Sequence, residues 1–199
     1  MTSIYDLPEV QQSRLRAELR PSEQVLWAGQ PLPNRYMRSG FVAALFFIPW
    51  TAFSVFWIAG ASGFKLPRFD GEAGLFPLLF PLFGLPFLLI GLGGLAAPLL
   101  LRRKAAFIVY ALTEQRALLI EGSKAVTVQS IALKDIHNLV RTELADGSGT
   151  LLLQTDAYRG VTRTASLDAD ASALQSFVAV PEVRLLHQLL EQAIERARL

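Results

Sequence analysis

Two long runs without a charged residue, Ser39 to Phe64 and Ala73 to Leu101, constrain this chain more than any other feature. A helix needs roughly 20 apolar residues to cross a bilayer, and each run exceeds that. Ten Leu, Ile, Phe or Val residues fall between Phe41 and Ile58. At about −0.3 to −0.6 kcal/mol each they favour insertion by roughly 3–6 kcal/mol. The second run is richer still in such residues, and Pro77, Pro81, Pro86 and Pro98 offset part of the gain. Buried helices of soluble proteins usually carry a polar stripe, and these runs carry none. The expected class is an α+β membrane protein.

Charge orients the pair. Arg14, Arg16, Arg20, Arg35 and Arg38 precede the first run, and Arg102, Arg103 and Lys104 follow the second; the connecting loop balances Lys65 and Arg68 with Asp70 and Glu72. Basic residues stay on the cytoplasmic side, so both termini are expected there, in a bacterial cytoplasmic (inner) membrane. The first forty residues are mixed and polar, unlike a cleaved signal peptide, so the first span is read as an anchor. The expected division is 1–38 as N-terminal helix and first strand, 39–64 as the first transmembrane helix, 65–74 as a non-cytoplasmic loop, 75–101 as the second transmembrane helix, and 102–199 as a cytoplasmic domain.

The second span is expected to be kinked or to start as a broken segment, because its prolines remove backbone donors and clash with the preceding turn. Gly84, Gly91 and Gly94 give it a smooth face for close helix approach, either within the hairpin or in a homo-oligomer. Neither run holds an ionisable residue to mark an ion path, which favours packing over a gating or pore role.

Outside the runs the chain alternates short β-rich stretches with turns. Helical spacing is expected over 8–19, and a strand over 24–28. Strands are then expected over 106–112, 117–120, 126–133, 136–144 and 150–155, with a weak one near 161–167 and another over 177–180. Asp146-Gly147-Ser148-Gly149 supplies the positive-φ residues of a tight hairpin. Val183, Leu186, Leu190 and Ile194 recur at helical spacing after Pro181, in the first turn of an amphipathic helix that ends with Arg196 and Arg198.

Four phrases in this order resemble the bacterial pleckstrin-homology-like (PH-like) domain family of small membrane-anchored proteins. They are Glu23 through Pro31, with Trp27, Gly29 and Pro31; Tyr110 through Arg116, with Tyr110, Thr113 and Arg116; Val128 through Ile136; and Phe177 through Pro181. Ser22 and Glu114 depart from the residues that family often has. The resemblance implies a small antiparallel β-barrel or sandwich capped by the C-terminal helix, and implies no reaction. Read physically, Thr113 and Glu114 fit a turn that satisfies nearby backbone groups, Arg116 pairs with Glu114 or Asp135, and Trp27 is a core aromatic.

Catalytic signatures are missing from the sequence. There is no cysteine, and no acidic residue stands at metal-ligand spacing from His137 or His187. Asp168 and Asp170 lack the other ligands of a calcium loop, and no phosphate loop, serine elbow or nucleotide fingerprint appears. No enzyme activity, cofactor, metal or nucleic-acid partner is expected. The leading expectation is a membrane-anchored interaction or scaffold module, binding a protein, a peptide strand or its own copy through an exposed strand edge. The alternatives are an oligomeric transport or channel-accessory subunit, and a sensor of anionic lipid headgroups through Arg102, Arg103 and Lys104 with Arg141, Arg159 and Arg163.

Overall fold

A computed structural model describes residues 6–64, 80–123, 125–155 and 176–198. The chain forms two compact units: residues 37–102 make one, and residues 1–36 together with 103–199 make the other. The expected strand near 161–167, Arg159, Arg163, Asp168, Asp170 and the whole connecting loop expected over 65–74 lie outside the described residues.

The first unit is a helical hairpin of α3 (Ser39–Ala61) and α4 (Gly84–Ala105), numbered after α1 (Glu9–Glu18) and α2 (Pro33–Tyr36). Both helices are long and apolar enough to cross a membrane. Only 11% and 17% of their apolar windows are buried within this chain. α3 stops earlier than residue 64, in a left-handed cap. Gly63 takes φ +63°, its amide bonds to Gly60 O, and the Phe64 amide reaches back to Ala59 O at 2.8 Å. That pairing absorbs carbonyls left over at the helix end. The second apolar helix is interrupted at Phe83, in keeping with the broken start expected from its prolines. It also runs past residue 101, since Arg102, Arg103, Lys104 and Ala105 are all good helix formers and nothing in them breaks the turn.

The second unit is antiparallel. β1 (Val25–Gly29), β2 (Ile108–Thr113), β3 (Arg116–Glu121) and β4 (Thr127–Ala132) make one sheet in that order. A 3₁₀ turn at Leu133–Asp135 leads to β5 (Ile136–Glu143), β6 (Gly149–Thr155) and β7 (Ser176–Val180), which make a second sheet, and α5 (Val183–Arg198) closes the order. β2 and β3 read as unbroken apolar runs because both their faces are buried. Ile108, Tyr110, Leu112, Ala117 and Leu119 enter a core shared with the second sheet and α5. Val109, Ala111, Leu118 and Ile120 pack with Leu7, Leu15 and Leu19 of the N-terminal segment. The four α5 positions picked by spacing are all buried.

Two turns differ from expectation. Gly147 has the positive φ a tight hairpin needs, at +77°, but Gly149 is a strand residue. It is glycine because any Cβ there would overlap the Thr142 carbonyl and come within 2.7 Å of Val183. Pro181 lies before the final helix rather than in its first turn: Glu182 takes φ +49°, and the helix begins at Val183.

Candidate functional site

The residues singled out by the four phrases build the frame of the β unit. Glu23 lies between α1 and β1, with its side chain fully buried, and Arg116 opens β3 with 12% of its side chain exposed. Glu23 Oε1 accepts from Arg116 Nε and from Thr113 Oγ, both at 2.8 Å; Oε2 accepts from Arg116 Nη2 at 2.9 Å and from the Arg20 amide at 2.8 Å. The expected partners of Arg116, Glu114 and Asp135, are replaced by this residue 93 positions away. A turn neighbour on the surface offers a charge but no buried cradle. Thr113 fills its expected turn role, its hydroxyl accepting from the amides of Gln115 and Arg116 at 3.2 and 3.0 Å. The Arg116 guanidinium, opposed by burial and aided by the Arg20 amide and Thr113, holds the Glu23 carboxyl down to about 2.

Trp27 is a core aromatic, as expected, and its ring lies across Gly29. A Cβ at Gly29 would sit 2.7 Å from the indole, which explains why the two are spaced by one residue on one strand face. Leu26 and Trp27 both face the inner core because the register slips between Val25 and Trp27. Trp27 stacks on Phe177, whose ring stacks on Tyr110 with centroids 4.7 Å apart. The Tyr110 hydroxyl accepts from the Val178 amide at 3.2 Å, and burial pushes its titration up. Pro31 is buried, and the next residue, Leu32, donates its amide to Ala179 O at 2.8 Å. These side chains tie β1, β2 and β7 together.

In the hairpin, the glycines face α3. A side chain at Gly84 would overlap Ile58, at Gly91 Thr51, and at Gly94 the Phe47 ring. The smooth face expected to serve either the hairpin or a second copy is therefore filled from within the hairpin. Gly91 also lets the Trp50 indole lie close enough to donate to Phe87 O at 3.0 Å, which satisfies a polar group that hydrocarbon would leave unpaired. A cavity of about 240 Å³ beside it is lined by Trp50, Phe53, Ser54, Trp57, Phe83, Gly84 and Phe87, and is almost entirely apolar.

Of the basic residues, Arg102 and Arg103 are exposed on the last turn of α4, and Lys104 pairs with Glu121 at 2.6 Å. Arg141 joins Glu143 at 3.5 Å, and Glu143 also takes Arg184 at 3.1 Å. His187 is half-buried and meets Glu191 at 3.5 Å, one helical turn on. An acidic residue does therefore stand within reach of a histidine, contrary to the sequence reading, because i and i+4 share a helix face. No group of three metal-ligating side chains forms among the described residues.

An open polar cleft of the β unit lies between β5 and α5. It has a volume of about 660 Å³ and is lined by Ile136, His137, Asn138 and Leu139 from the strand and by Gln188, Glu191, Gln192, Ile194, Glu195 and Arg198 from the helix. β5 is the outer strand of its sheet. Arg198 Nη2 donates to Ile136 O at 2.8 Å and closes one end of the cleft. This cleft was not foreseen. Its signal is the polar stripe Gln188, Glu191, Gln192 and Glu195, at i, i+3, i+4 and i+7 on the helix, beside His137 and Asn138 of the strand.

Comparison with protein-family models, with curated proteins and with solved structures returned no match. Among the described residues the chain is α+β, with two antiparallel sheets and two helices long and apolar enough to cross a membrane.

Proposed function

We propose that this protein is a membrane-anchored interaction module of the bacterial PH-like kind, in which the helical hairpin holds a small cytoplasmic β domain at the inner membrane. Four strands, three strands and a closing helix agree with the barrel or sandwich that the resemblance implies. The Arg116–Glu23 pair and the Trp27–Phe177–Tyr110 stack give its phrases a structural purpose. The observation that carries the interaction reading is the cleft between β5 and α5. An outer strand offers backbone donors and acceptors, and the polar helix face beside it offers amides and carboxylates to the side chains of an added extended segment. The occupant is a polypeptide strand, from a partner or from a second copy. Transport has less support: the runs hold no ionisable residue, and the glycine face is filled by α3.

Two experiments test this. A photo-crosslinking residue at Asn138, in full-length protein in native membranes, should give a discrete adduct that the same residue at Gln12 does not. Mixing two differently tagged copies separates self-association from a foreign partner. Equal patterns at the two positions would remove the cleft from consideration. A reporter active only in the cytoplasm should work after Leu199 and fail near Phe69; the reverse pattern would overturn the orientation.

A further inference from the structure

Among the described residues of the β unit, four large apolar side chains are at least 40% exposed: Val10, Phe107, Val126 and Leu144. Scattered singly, they would need no explanation. They are not scattered. Phe107 lies just before β2, and its carbonyl accepts from the Gly122 amide. Val126 lies just before β4, whose Thr127 pairs with Glu121, which in turn pairs with Ile108 at the start of β2. Val10 lies on the first turn of α1, where Gln11 Nε2 donates to Ala106 O at 2.8 Å. The far end of that helix reaches Arg116, through Glu18 O, so α1 runs the length of the β2–β3 hairpin. Leu144 is in the β5–β6 turn, whose Asp146 pairs with Arg35 of α2. All four thus surround the end of the sheet where β1 exits and β2 enters. The opposite end, around Ser22, Glu114 and Gln115, is polar and exposed.

That end is also where the chain departs for Ser39–Ala61 and returns from the second apolar helix. From Leu101 to Phe107 there are four helical residues and two more, a reach of at most about 13 Å. A headgroup layer is roughly 5–8 Å thick on each side of the hydrocarbon, so Phe107 cannot lie far from it if the helices span. Arg38, Arg102 and Arg103 stand exposed on the same connections, with the charge that suits an anionic surface.

We infer that this end of the β domain is a lipid-docking rim: Val10, Phe107, Val126 and Leu144 dip into the headgroup–acyl boundary of the membrane that the hairpin crosses, and Arg103, four residues before Phe107, meets anionic headgroups. The inference rests on the membrane-anchored reading and deepens it. The rim fixes which face of the domain is hidden against lipid and leaves the polar Glu114 end turned to the aqueous side.

The chain has no cysteine, so single cysteines can carry an environment-sensitive nitrobenzoxadiazole label in the full-length protein. Labels at Phe107, Val126 and Leu144, at Glu114 as the aqueous control and at Phe46 as the membrane control are compared in vesicles of phosphatidylcholine and phosphatidylglycerol. The quencher is a lipid bearing a nitroxide high on its acyl chain, with iodide as the aqueous quencher. The expected result is lipid quenching at the three rim positions at least about twofold above that at Glu114, with protection from iodide. Rim labels that behave like Glu114 while Phe46 is quenched by lipid overturn the rim and leave the anchor standing. Rim labels shielded from both quenchers also overturn it, and assign the patch to a protein contact. A Phe46 label that lipid does not quench overturns the anchor and the rim together.

Discussion

Glu23 shows what a single side chain contributes when its partner is distant in sequence. Its carboxylate is out of water and accepts four hydrogen bonds, from Arg116, Thr113 and the Arg20 amide. Removing one partner of a buried pair leaves the other charge uncompensated, at about 3–5 kcal/mol, although Arg116 keeps some solvent and a bond to Glu18 O. Glu23→Gln should therefore lower stability by roughly 2–4 kcal/mol, read as a thermal-unfolding shift in detergent. The pH dependence has a definite sign. The folded carboxyl titrates near 2 and the unfolded one near 4.5, so the stabilisation is complete above the unfolded value and is lost as pH falls through the folded one. The difference between wild type and Glu23→Gln should stay constant above about pH 5 and shrink steadily between 4.5 and 2. A difference that does not depend on pH would mean that the carboxylate charge is not what holds Arg116. Spacing reveals Thr113 as a turn residue, since its hydroxyl acts on its immediate neighbours. It cannot reveal Glu23 as the partner of Arg116, because only the folded β1–β2 pairing brings them together.

At the level of elements, periodicity shows β2, β3 and α5 clearly, each for a physical reason. The strands are buried on both faces and so carry unbroken apolar runs, and the helix buries one stripe, Val183, Leu186, Leu190 and Ile194. The cleft beside β5 is less legible, since polar residues on an outer strand and a helix face look the same whether they meet a partner or water. The hairpin falls between these cases. Its glycines advertise close approach without naming the neighbour, and the structure supplies it. Gly94 meets the Phe47 ring, whereas Gly93, on the next face, meets open space. Gly94→Leu should therefore separate α3 from α4 and cost more than about 2 kcal/mol, the upper range for overpacking, while Gly93→Leu should be nearly neutral. Disulfide formation between cysteines placed on the two helices reports the difference. If the Gly94 variant keeps its cross-linking and instead changes its oligomer mass, the glycine face serves a second copy and not the hairpin.

At the scale of the whole chain, the hairpin is an insertion into the connection between two paired strands. Gly29 of β1 pairs with Tyr110 of β2, yet the whole hairpin unit lies between them in sequence. Closing a flexible loop of that length costs roughly 2–3 kcal/mol more than closing a four-residue turn. The hairpin reduces that cost by bringing its own ends together: Gly40 at the start of α3 lies against the Pro98 backbone and Leu101 near the end of α4. Gln30 Nε2 then joins the two connections, donating to Ala106 O at 3.1 Å and to Ile108 O at 3.3 Å. The β unit, by contrast, draws its cores entirely from residues 1–36 and 103–199. Replacing residues 37–102 with a short flexible linker should therefore yield a folded domain that unfolds cooperatively. A chain that begins at Arg102 should not fold, because it lacks Trp27, Glu23 and the N-terminal cover over Val109, Ala111, Leu118 and Ile120. Near-ultraviolet circular dichroism and amide-exchange protection distinguish the outcomes. If the linker version behaves like the truncated one, the β domain depends on the hairpin for more than loop closure, and the two units are a single folding unit.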